Sequence, residues 1–532
     1  MVFWRCAQVM PLNGGERDTQ APKLIEAIPK NVSLNFTGRI IELKFDEYVQ
    51  VKDISNQLII TPQTKEMPLV EAVGRRVLVK FNEDLRPNTT YRLFFGSSIA
   101  DMHEANPFTG FEFVFSTGSA IDSLFIKGKV VKAFNLKSEK EVTVGLYNEE
   151  ESDSVVFKKK PLYYSKTADD GTYKISYLPK STFKTFAFTD YNKNLLFDGG
   201  EEAIGFNNTK IETGSDTIIN LKVFKEESPK VFLKKTVSPF YGMAYVIYNK
   251  EQKNIVSAYY KNQTTNFSSL SSINDTCKVY YKDVFDTLRL LVNHPERNVT
   301  DTISITVLSK EKFDRLKAEK KLVLSMDLYP LTGNRLDYYA NPVLVFNNWM
   351  DDVNVDVSKM ILSYKTDSLI KTVPQLIKKT DNSFSLSNKL IPNTNYDLIL
   401  NKASFTSMAG IENDSVKISF KTSEPSDYAT FNLKLLLPKK ENYIVQIVND
   451  NEALIAEQYI EMSLTTSAEQ LLKFKNLLPG NYFLKVIEDK NQNKKWDTGN
   501  ILHQKQAETI YFNALAIKLL ADWDSEAEWK VE

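Results

Sequence analysis

Apolar and polar residues alternate along most of this chain, in short segments that turn-forming residues separate. Residues 41–47 and 416–422 show this period of two, which is typical of β-strands with one buried face. Only residues 310–321 have helical spacing, because Phe313 and Leu316 stand three positions apart. Short strands between frequent turns predict an all-β fold of packed sheets.

One unit of the chain, which we call A, occurs twice. Its first copy contains residues 85–93, where Pro-Asn-Thr precedes a tyrosine, and then the strand pattern of residues 111–117. The second copy, A′, repeats both elements at residues 390–398 and 416–422. Proline fixes φ and asparagine bonds its own backbone, so Pro-Asn-Thr predicts a turn that leads into a strand. We therefore expect two copies of one β-module.

A second unit, B, also occurs twice. Its copies, B and B′, contain residues 177–199 and 477–499, and each combines Leu-Pro, a strand pattern and a polar loop. Both loops place Asp, Asn, Asn and Asp at offsets 0, 2, 4 and 8. This shared spacing predicts that the two loops adopt the same conformation.

The repeats divide the chain into modules. A chain of 532 residues corresponds to roughly three to five domains. The order is A–B–C–A′–B′, in which C is the stretch that does not repeat. Residues 1–18 are predicted to be the remnant of a signal sequence followed by a tether. The predicted domains are 19–118 as A, 119–225 as B, 226–320 as a β-rich C, 321–424 as A′, and 425–532 as B′ with a C-terminal tail.

Composition narrows the function. Lys+Arg and Asp+Glu both number 67, so the net charge is zero, whereas nucleic-acid binders carry a basic surplus. Three histidines and two cysteines exclude a disulfide scaffold and disfavour Cys- or His-based chemistry. Nucleophile elbows, P-loops, dinucleotide fingerprints and HExxH motifs are absent from the sequence. We predict a protein that is not an enzyme and does not bind nucleic acid.

Residues 19–118 resemble the bacterial Ig-like domain first described in S-layer proteins. The matching elements, in chain order, are Ala21-Pro22, Pro29, 45–47, 85–91, Asp101, Asn106-Pro107 and 113–117. A′ keeps the strand, turn and terminal elements but lacks the Ala-Pro opening. B and B′ resemble prealbumin-like or carboxypeptidase-regulatory-like β-sandwiches. The expected fold class is therefore all-β, with tandem Ig-like and prealbumin-like β-sandwich domains.

The order of modules is similar to that of Ig-like-domain lipoproteins of Bacteroidota. This resemblance implies a place in the cell envelope, anchored to the outer membrane through a lipid on Cys6, with the membrane face left open. Residues 7–18 would then be a polar tether. The alternative is a cytosolic start with an ordinary cysteine, because Trp4 and Arg5 stand where small residues precede a cleavage site.

The triplet Asp-[Ser/Thr]-apolar occurs seven times. It resembles the O-glycosylation sequon of Bacteroidota envelope proteins, which would add a bulky sugar at a surface hydroxyl. The alternative is that Asp-Ser and Asp-Thr simply mark turns that enter strands. The candidate hydroxyls are those of Ser123, Ser154, Thr217, Thr287, Thr302, Ser368 and Ser415.

The two Asp/Asn loops are candidates for calcium binding, because oxygens at offsets 0, 2 and 4 can curl around one ion. The candidate ligands are Asp190, Asn192, Asn194, the Leu196 carbonyl, Asp198 and Glu201 in the first loop, and Asp489, Asn491, Asn493 and Asp497 in the second. Glu201 lies at offset 11, where an EF-hand places its bidentate ligand, whereas the second loop has Asn500 there. The first loop should therefore bind more tightly. The alternative is an Asx-rich turn that satisfies its own backbone.

The predicted function is that of a non-catalytic cell-envelope lipoprotein that acts as an adhesion, scaffold or assembly-accessory protein. One alternative is a cell-surface glycan-binding protein of a polysaccharide-handling system, for which Tyr259-Tyr260 and Tyr338-Tyr339 are candidate contacts, unless they supply strand packing. A second alternative is a carbohydrate-active hydrolase, which needs two converging carboxylates. Expected partners are envelope proteins or surface glycans, with the membrane contacted through the lipid anchor only.

Overall fold

Strands dominate the computed structural model. It describes residues 18–214, 217–228, 231–250, 255–260, 263–264, 269–273, 275–281, 287–294, 299–350, 354–438, 441–461 and 469–532. The predicted lipidation site, Cys6, lies outside these residues. The all-β prediction of tandem β-sandwiches is confirmed. Helices among the described residues include α1 (Ile54–Gln57), α2 (Lys310–Ala318), and the 3-10 helices Asp153–Phe157, Val357–Lys359 and Pro425–Asp427.

A is a sandwich of short antiparallel sheets. Its strands are β1 (Leu24–Ile28), β2 (Ile40–Phe45), β3 (Val49–Val51), β4 (Ile59–Thr61), β5 (Leu69–Val73), β6 (Arg76–Lys80), β7 (Thr90–Phe94), β8 (Ile99–Asp101) and β9 (Glu112–Ser116). The sheet orders are β1-β2-β6-β5, β4-β7-β9 and β3-β8. On β2, Ile41, Leu43 and Phe45 are buried while the residues between them are not, as the alternation predicts.

The strands of B form one sheet that curls on itself. They are β10 (Leu124–Lys132), β11 (Thr143–Asn148), β12 (Tyr163–Lys166), β13 (Thr172–Leu178), β14 (Thr182–Phe188), β15 (Ala203–Phe206), β16 (Ile211–Glu212), β17 (Thr217–Ile218) and β18 (Leu221–Lys225). The path is β12-β11-β14-β15-β18-β10-β13, with β16 on β14 and β17 on β10. Its two end strands, β12 and β13, contact each other.

C has two sheets, ordered β19-β20-β24-β23 and β22-β21-β25-β26 in the described residues. Its strands are β19 (Leu233–Phe240), β20 (Met243–Tyr248), β21 (Ile255–Tyr260), β22 (Gln263–Thr264), β23 (Ser269–Ile273), β24 (Thr276–Tyr280), β25 (Thr287–His294) and β26 (Val299–Thr306). The predicted helix follows as α2, where the Ser309 hydroxyl accepts from the Lys312 N–H and Phe313 is buried.

A′ repeats the sheet order of A. Its strands are β27 (Met326–Tyr329), β28 (Arg335–Leu336), β29 (Val343–Phe346), β30 (Met360–Lys365), β31 (Leu369–Thr372), β32 (Leu376–Thr380), β33 (Ser383–Leu386), β34 (Asn395–Leu400) and β35 (Val416–Thr422). The order β27-β29-β33-β32 corresponds to β1-β2-β6-β5, and β28-β35-β34-β30-β31 forms the facing sheet.

The Pro-Asn-Thr turn has the same hydrogen bonds in A and A′. In each copy a tyrosine hydroxyl accepts a backbone N–H from before the turn, and a threonine hydroxyl donates to the carbonyl of that same residue. In A, the Arg86 N–H donates to the Tyr91 hydroxyl at 2.9 Å, and the Thr117 hydroxyl donates to the Arg86 carbonyl at 2.6 Å. In A′, the Ile391 N–H donates to the Tyr396 hydroxyl at 2.7 Å, and the Thr422 hydroxyl donates to the Ile391 carbonyl at 2.6 Å. Asn88 and Asn393 both have left-handed φ, at 49° and 53°. The repeat read from the sequence is therefore a structural repeat.

B′ repeats the strand pairings of B. Its strands are β36 (Ala429–Leu436), β37 (Asn442–Asn449), β38 (Leu454–Ile460), β39 (Glu469–Leu477), β40 (Gly480–Asp489), β41 (Ile510–Leu519) and β42 (Asp524–Lys530). The order β38-β37-β40-β41 matches β12-β11-β14-β15, and β39-β36-β42 matches β13-β10-β18. In B′ the two groups are separate sheets, whereas in B the pairing of β15 with β18 joins them.

Consecutive modules are packed against each other at three junctions. Between A and B, the Gln63 N–H donates to the Leu162 carbonyl at 2.7 Å. C and A′ share one apolar core, and the Tyr280 ring lies 4.9 Å from that of Trp349. Between A′ and B′, the Tyr338 hydroxyl donates to Asn476 at 3.0 Å. No helix among the described residues is long and apolar enough to cross a membrane.

Candidate functional site: the paired Asp/Asn loops

The first loop follows β14 and is a tight polar turn. The Asp190 carboxylate accepts the backbone N–H groups of Asn194 (3.0 Å) and Leu195 (2.9 Å). Both asparagine amides, of Asn192 and Asn194, donate to Asp198 Oδ2 at 2.7 and 2.8 Å. Asp190 thus holds the loop closed by accepting backbone N–H groups, and Asp198 does so by accepting the side-chain amides.

The second loop follows β40 and repeats the same network. The Asp489 carboxylate accepts the N–H groups of Asn493 (3.1 Å) and Lys494 (2.9 Å). The amides of Asn491 and Asn493 both donate to Asp497 Oδ2. The prediction that the two loops share one conformation is confirmed.

A buried glutamate completes each loop, and sequence reasoning missed both. Glu202 accepts the N–H groups of Tyr191 (3.1 Å) and Asp198 (2.8 Å), and Glu508 accepts those of Lys490 (2.9 Å) and Asp497 (3.0 Å). Burial raises the pKa of both carboxyl groups. Because the two glutamates stand at different distances from their loops in the sequence, the shared spacing did not reveal them.

Glu201, the ligand expected at offset 11, does not join the first loop. It forms an ion pair with Lys225 at 2.8 Å, and its side chain is 89% exposed. The neighbouring Glu202, directly before β15, accepts the loop N–H groups instead. The Leu196 N–H donates to the Asn194 side chain at 2.7 Å. Among the described residues no group of three or more His, Cys, Asp or Glu side chains is arranged to hold a metal. Calcium binding stays a prediction.

The second loop has an insertion that the first lacks. Glu202 is the fourth residue after Asp198, whereas Glu508 is the eleventh after Asp497, so the insertion has seven residues (eleven minus four). Residues 498–507, which we call the docking segment, contact the outer face of B. Ile501 is fully buried in an apolar cluster whose other buried members are residues of B, among them Phe206 and Phe224.

Polar contacts fix the docking segment on B. The Thr498 hydroxyl donates to the Lys225 carbonyl at 2.6 Å, and the Ile501 N–H donates to the carboxylate of Glu226, the residue directly after the last strand of B. The Gln506 amide donates to the Phe206 carbonyl at 2.9 Å. A Cβ on Gly499 would collide with the Phe224 ring, so only glycine fits there.

A second contact between B and B′ lies beside the segment. The Trp496 ring meets the edge of the Phe134 ring at 5.1 Å, and the Lys485 ammonium lies 3.4 Å from the Phe134 centroid. Burial lowers the pKa of Lys485 to about 8. Lys137 of B also forms an ion pair with Glu452 of B′. Two modules that are distant in the sequence are thus in direct contact.

None of the seven predicted glycosylation hydroxyls is fully buried. The side chains of Ser123, Thr302, Ser368 and Ser415 are exposed, and those of Ser154, Thr217 and Thr287 are half-buried. The Thr217 hydroxyl accepts the Gly214 N–H and the Ser415 hydroxyl accepts the Lys402 N–H, both at 3.0 Å. The first bond closes a local turn, whereas the second joins residues 13 positions apart, so the two interpretations of the triplet both stand.

The tyrosine pair at 338 and 339 belongs to the junction between A′ and B′. Both rings pack edge-on or tilted against Tyr428, at 5.7 and 5.5 Å. Both hydroxyls donate to Asn476. Module packing therefore explains this pair, while the side chains of Tyr259 and Tyr260 lie outside the described residues. Cys277 is a free buried thiol, and burial raises its pKa to about 11.

Comparison with known proteins identifies the first module. Residues 18–117 match the family described as Bacterial Ig-like domain, which confirms the resemblance seen in this part of the sequence. A search of the curated proteins finds no match.

Similar solved structures include three chains of surface or Ig-like proteins. BcpA, the major pilin subunit of Bacillus cereus, shares 9% identity over 76% of this chain and 98% of its own, with a TM-score of 0.15. The S-layer protein rSbsC shares 11% identity over 90% of this chain and 67% of its own, with a TM-score of 0.14. The N-terminal four Ig domains of Dscam1 isoform 6.9 share 8% identity over 76% of this chain and 100% of their own, with a TM-score of 0.16.

Proposed function

We propose that the protein is a non-catalytic scaffold or adhesion protein of the cell envelope, built as a stiff array of β-sandwich modules. The observation that supports this most is the docking of B′ on B, with Ile501 fully buried between them. Domains with small polar interfaces move freely relative to each other, whereas an apolar interface resists separation. A stiff array holds its exposed surfaces at fixed distances, which is what a scaffold needs.

The proposed place of the protein is the outer membrane, where a lipid on Cys6 would hold it. The polar stretch after Cys6 supports this proposal, because such a tether separates a folded array from the membrane. Mass spectrometry of the native amino-terminal peptide tests it. A diacylglycerol thioether on Cys6 is the expected result, and an unmodified cysteine in the native protein would contradict the anchor.

Two modifications of the array are further proposals. Weak calcium binding would stiffen the Asp/Asn loops, and O-glycans at some of the seven triplets would cover exposed edges. Intact-mass measurement of the native protein before and after chemical removal of O-glycans tests the second proposal, since each glycan adds its mass to that of the polypeptide with its lipid. A mass that deglycosylation leaves unchanged would end it.

Capture of partners tests the proposed function. Native chain and an Ile501→Asp variant, which should lose the B–B′ contact, are immobilised and exposed to solubilised envelope proteins and glycans. We expect the native chain to retain a defined set of envelope components and the variant to lose part of it. Equal capture by both chains would contradict a role for the stiff array. Release of shortened glycans would identify the alternative, a carbohydrate-active hydrolase.

A further inference from the structure

The facing sheet of A′ has an edge strand that A lacks. In A, β4 is an edge of the sheet β4-β7-β9, and it contacts β12 of B. In A′, the corresponding strand β30 pairs with the additional strand β31, which pairs with no other strand among the described residues. The outer N–H and C=O groups of such an edge strand are a template on which another strand can pair.

This edge of A′ is basic and carries exposed apolar side chains. Leu369, Lys371 and Val373 alternate along the edge, so they face the same side, and all three are exposed. Residues 365–389, which include β31 and β32, contain five lysines and two aspartates, a surplus of three positive charges. The Lys371 ammonium forms no ion pair with a described residue. Because a lysine on an edge strand discourages pairing with an identical edge, a strand that pairs here should bring negative charge.

The strand β42 of B′ is an open edge with the opposite charge. It pairs in parallel with β36 and with no other described strand, whereas its counterpart in B, β18, is also paired with β15. Asp524, Glu526 and Glu528 are exposed on one face of β42. Residues 522–532 contain five side-chain carboxylates and one lysine. Glu528 has the Lys434 ammonium at 3.5 Å, whereas Glu526 forms no ion pair with a described residue.

The two edges complement each other when they run antiparallel with Lys371 opposite Glu526. The acidic residues two positions on either side of Glu526 then lie diagonal to the lysine, and cross-strand pairs of opposite charge stabilise a sheet. In the same register Ile370 lies opposite Ala527, and both of these side chains are half-buried. The half-buried sides of the two strands therefore face the same way, and one sheet can continue into the other.

The charges also decide which edges pair. Two copies of β31 placed side by side would bring lysines together, and two copies of β42 would bring carboxylates together, and like charges directly opposite each other destabilise a sheet. The favoured contact is therefore between β31 of one copy and β42 of another. Such a contact uses a different surface on each partner and leaves one edge open at each end, so it adds copies into an open chain.

We propose that this protein assembles head to tail with copies of itself, with β42 of one copy added to β31 of the next. Leu369, 62% exposed, on one edge and Trp523, 63% exposed, directly before the other would add buried apolar surface to the backbone hydrogen bonds. The inference goes beyond the proposed scaffold function, because it names a second copy as partner. It is tested on purified chain alone, so its failure would leave the capture of envelope components unaffected.

Sedimentation velocity of the full chain, produced without lipid and kept reduced, tests the assembly over a series of protein concentrations. We expect species that grow past the dimer as concentration rises at low salt. Raising the salt from about 50 mM to about 500 mM should weaken the association, because salt screens charge pairs at an exposed edge. A chain that stays monomeric at every concentration would overturn the proposal, as would a dimer that never grows.

Exchange of the charges locates the contact. Lys371→Glu and Glu526→Lys should each self-associate about tenfold more weakly, because each places like charges opposite each other. An equal mixture of the two variants should associate as the native chain does, since every edge then meets an edge of opposite charge. Lys180→Glu and Glu150→Lys, at exposed positions of B, are the matched controls and should associate as the native chain does. The proposal fails if the edge variants associate normally, if mixing does not restore association, or if the controls weaken it equally.

Discussion

The two Asp/Asn loops share one turn but have different neighbours. In B the turn runs directly into the buried Glu202, and its Lys193 lines a cleft between B and A. In B′ the docking segment intervenes before Glu508 and contacts B. The comparison shows that the Asp/Asn spacing specifies the turn, whereas the inserted residues specify the contact between modules.

The largest expected effect comes from breaking that contact. Ile501→Asp would place a charge in the apolar cluster and should cost the B–B′ interface roughly 3–5 kcal/mol. Differential scanning calorimetry should show B′ unfolding earlier, and limited proteolysis should cut within 498–507. Leu502→Asp is the matched control, since Leu502 is 61% exposed. Equal effects of the two variants would show that the segment is not docked.

The buried glutamates Glu202 and Glu508 should contribute equally to the unfolding free energy of their modules. Glu202→Ala and Glu508→Ala each remove the acceptor of two backbone N–H groups and should each cost about 2–3 kcal/mol of unfolding free energy. Denaturant titration measures this cost. Glu201→Ala, at an exposed neighbouring position, should change stability little. A large loss in only one module would show that the two turns are not equivalent.

Burial of Lys485 beside Phe134 makes the stability of the folded chain depend on pH. Because burial lowers the folded-state pKa of Lys485 to about 8, the unfolded chain binds more protons above that pH. Stability should therefore rise as pH increases from 8 toward the ordinary lysine pKa of 10.5. Lys485→Met should remove this rise in a melting-temperature series. A rise that persists in the variant would contradict the assignment.

The smallest expected effect is that of calcium. If the loops bind the ion, the affinity should lie in the weak range of about 10⁻⁴–10⁻³ M, because two neutral asparagines occupy ligand positions. The sequence predicts tighter binding by the first loop, but Glu201 lies outside it. Calorimetry on the full chain with Asp190→Ala and Asp489→Ala separates the loops. No heat at millimolar calcium would leave both as turns.

The sequence predicted the strands and the repeated turns because their signals are local. Alternation gave strands such as β2, and Pro-Asn-Thr before Tyr91 and Tyr396 gave a turn that the structure repeats bond for bond. The Asp/Asn spacing likewise predicted one turn at two places. These patterns act over a few residues, so they do not depend on the rest of the fold.

The contacts between modules could not be predicted in the same way. Ile501 lies in a polar stretch with no periodic pattern, and its burial depends on B, which is distant in the chain. Lys127 and Lys174 are placed opposite each other only by the register of β10 and β13. Whether Glu201 or Glu202 contacts the loop depends on the backbone conformation directly before β15. Each of these contacts depends on tertiary structure, which local sequence patterns do not encode.

Carbodiimide cross-linking tests the central claim, that B′ docks on B, most directly. The reagent joins an ammonium and a carboxylate in contact, and Lys137 of B pairs with Glu452 of B′. Lys159 and Glu151, 2.7 Å apart within B, are the internal control. A mixture of ¹⁴N- and ¹⁵N-labelled chains distinguishes links within one molecule from links between two. We predict an intramolecular Lys137–Glu452 amide in the native chain and its loss in Ile501→Asp, with the control link unchanged. Absence of the amide from native chain that forms the control link would contradict the docking of B′ on B.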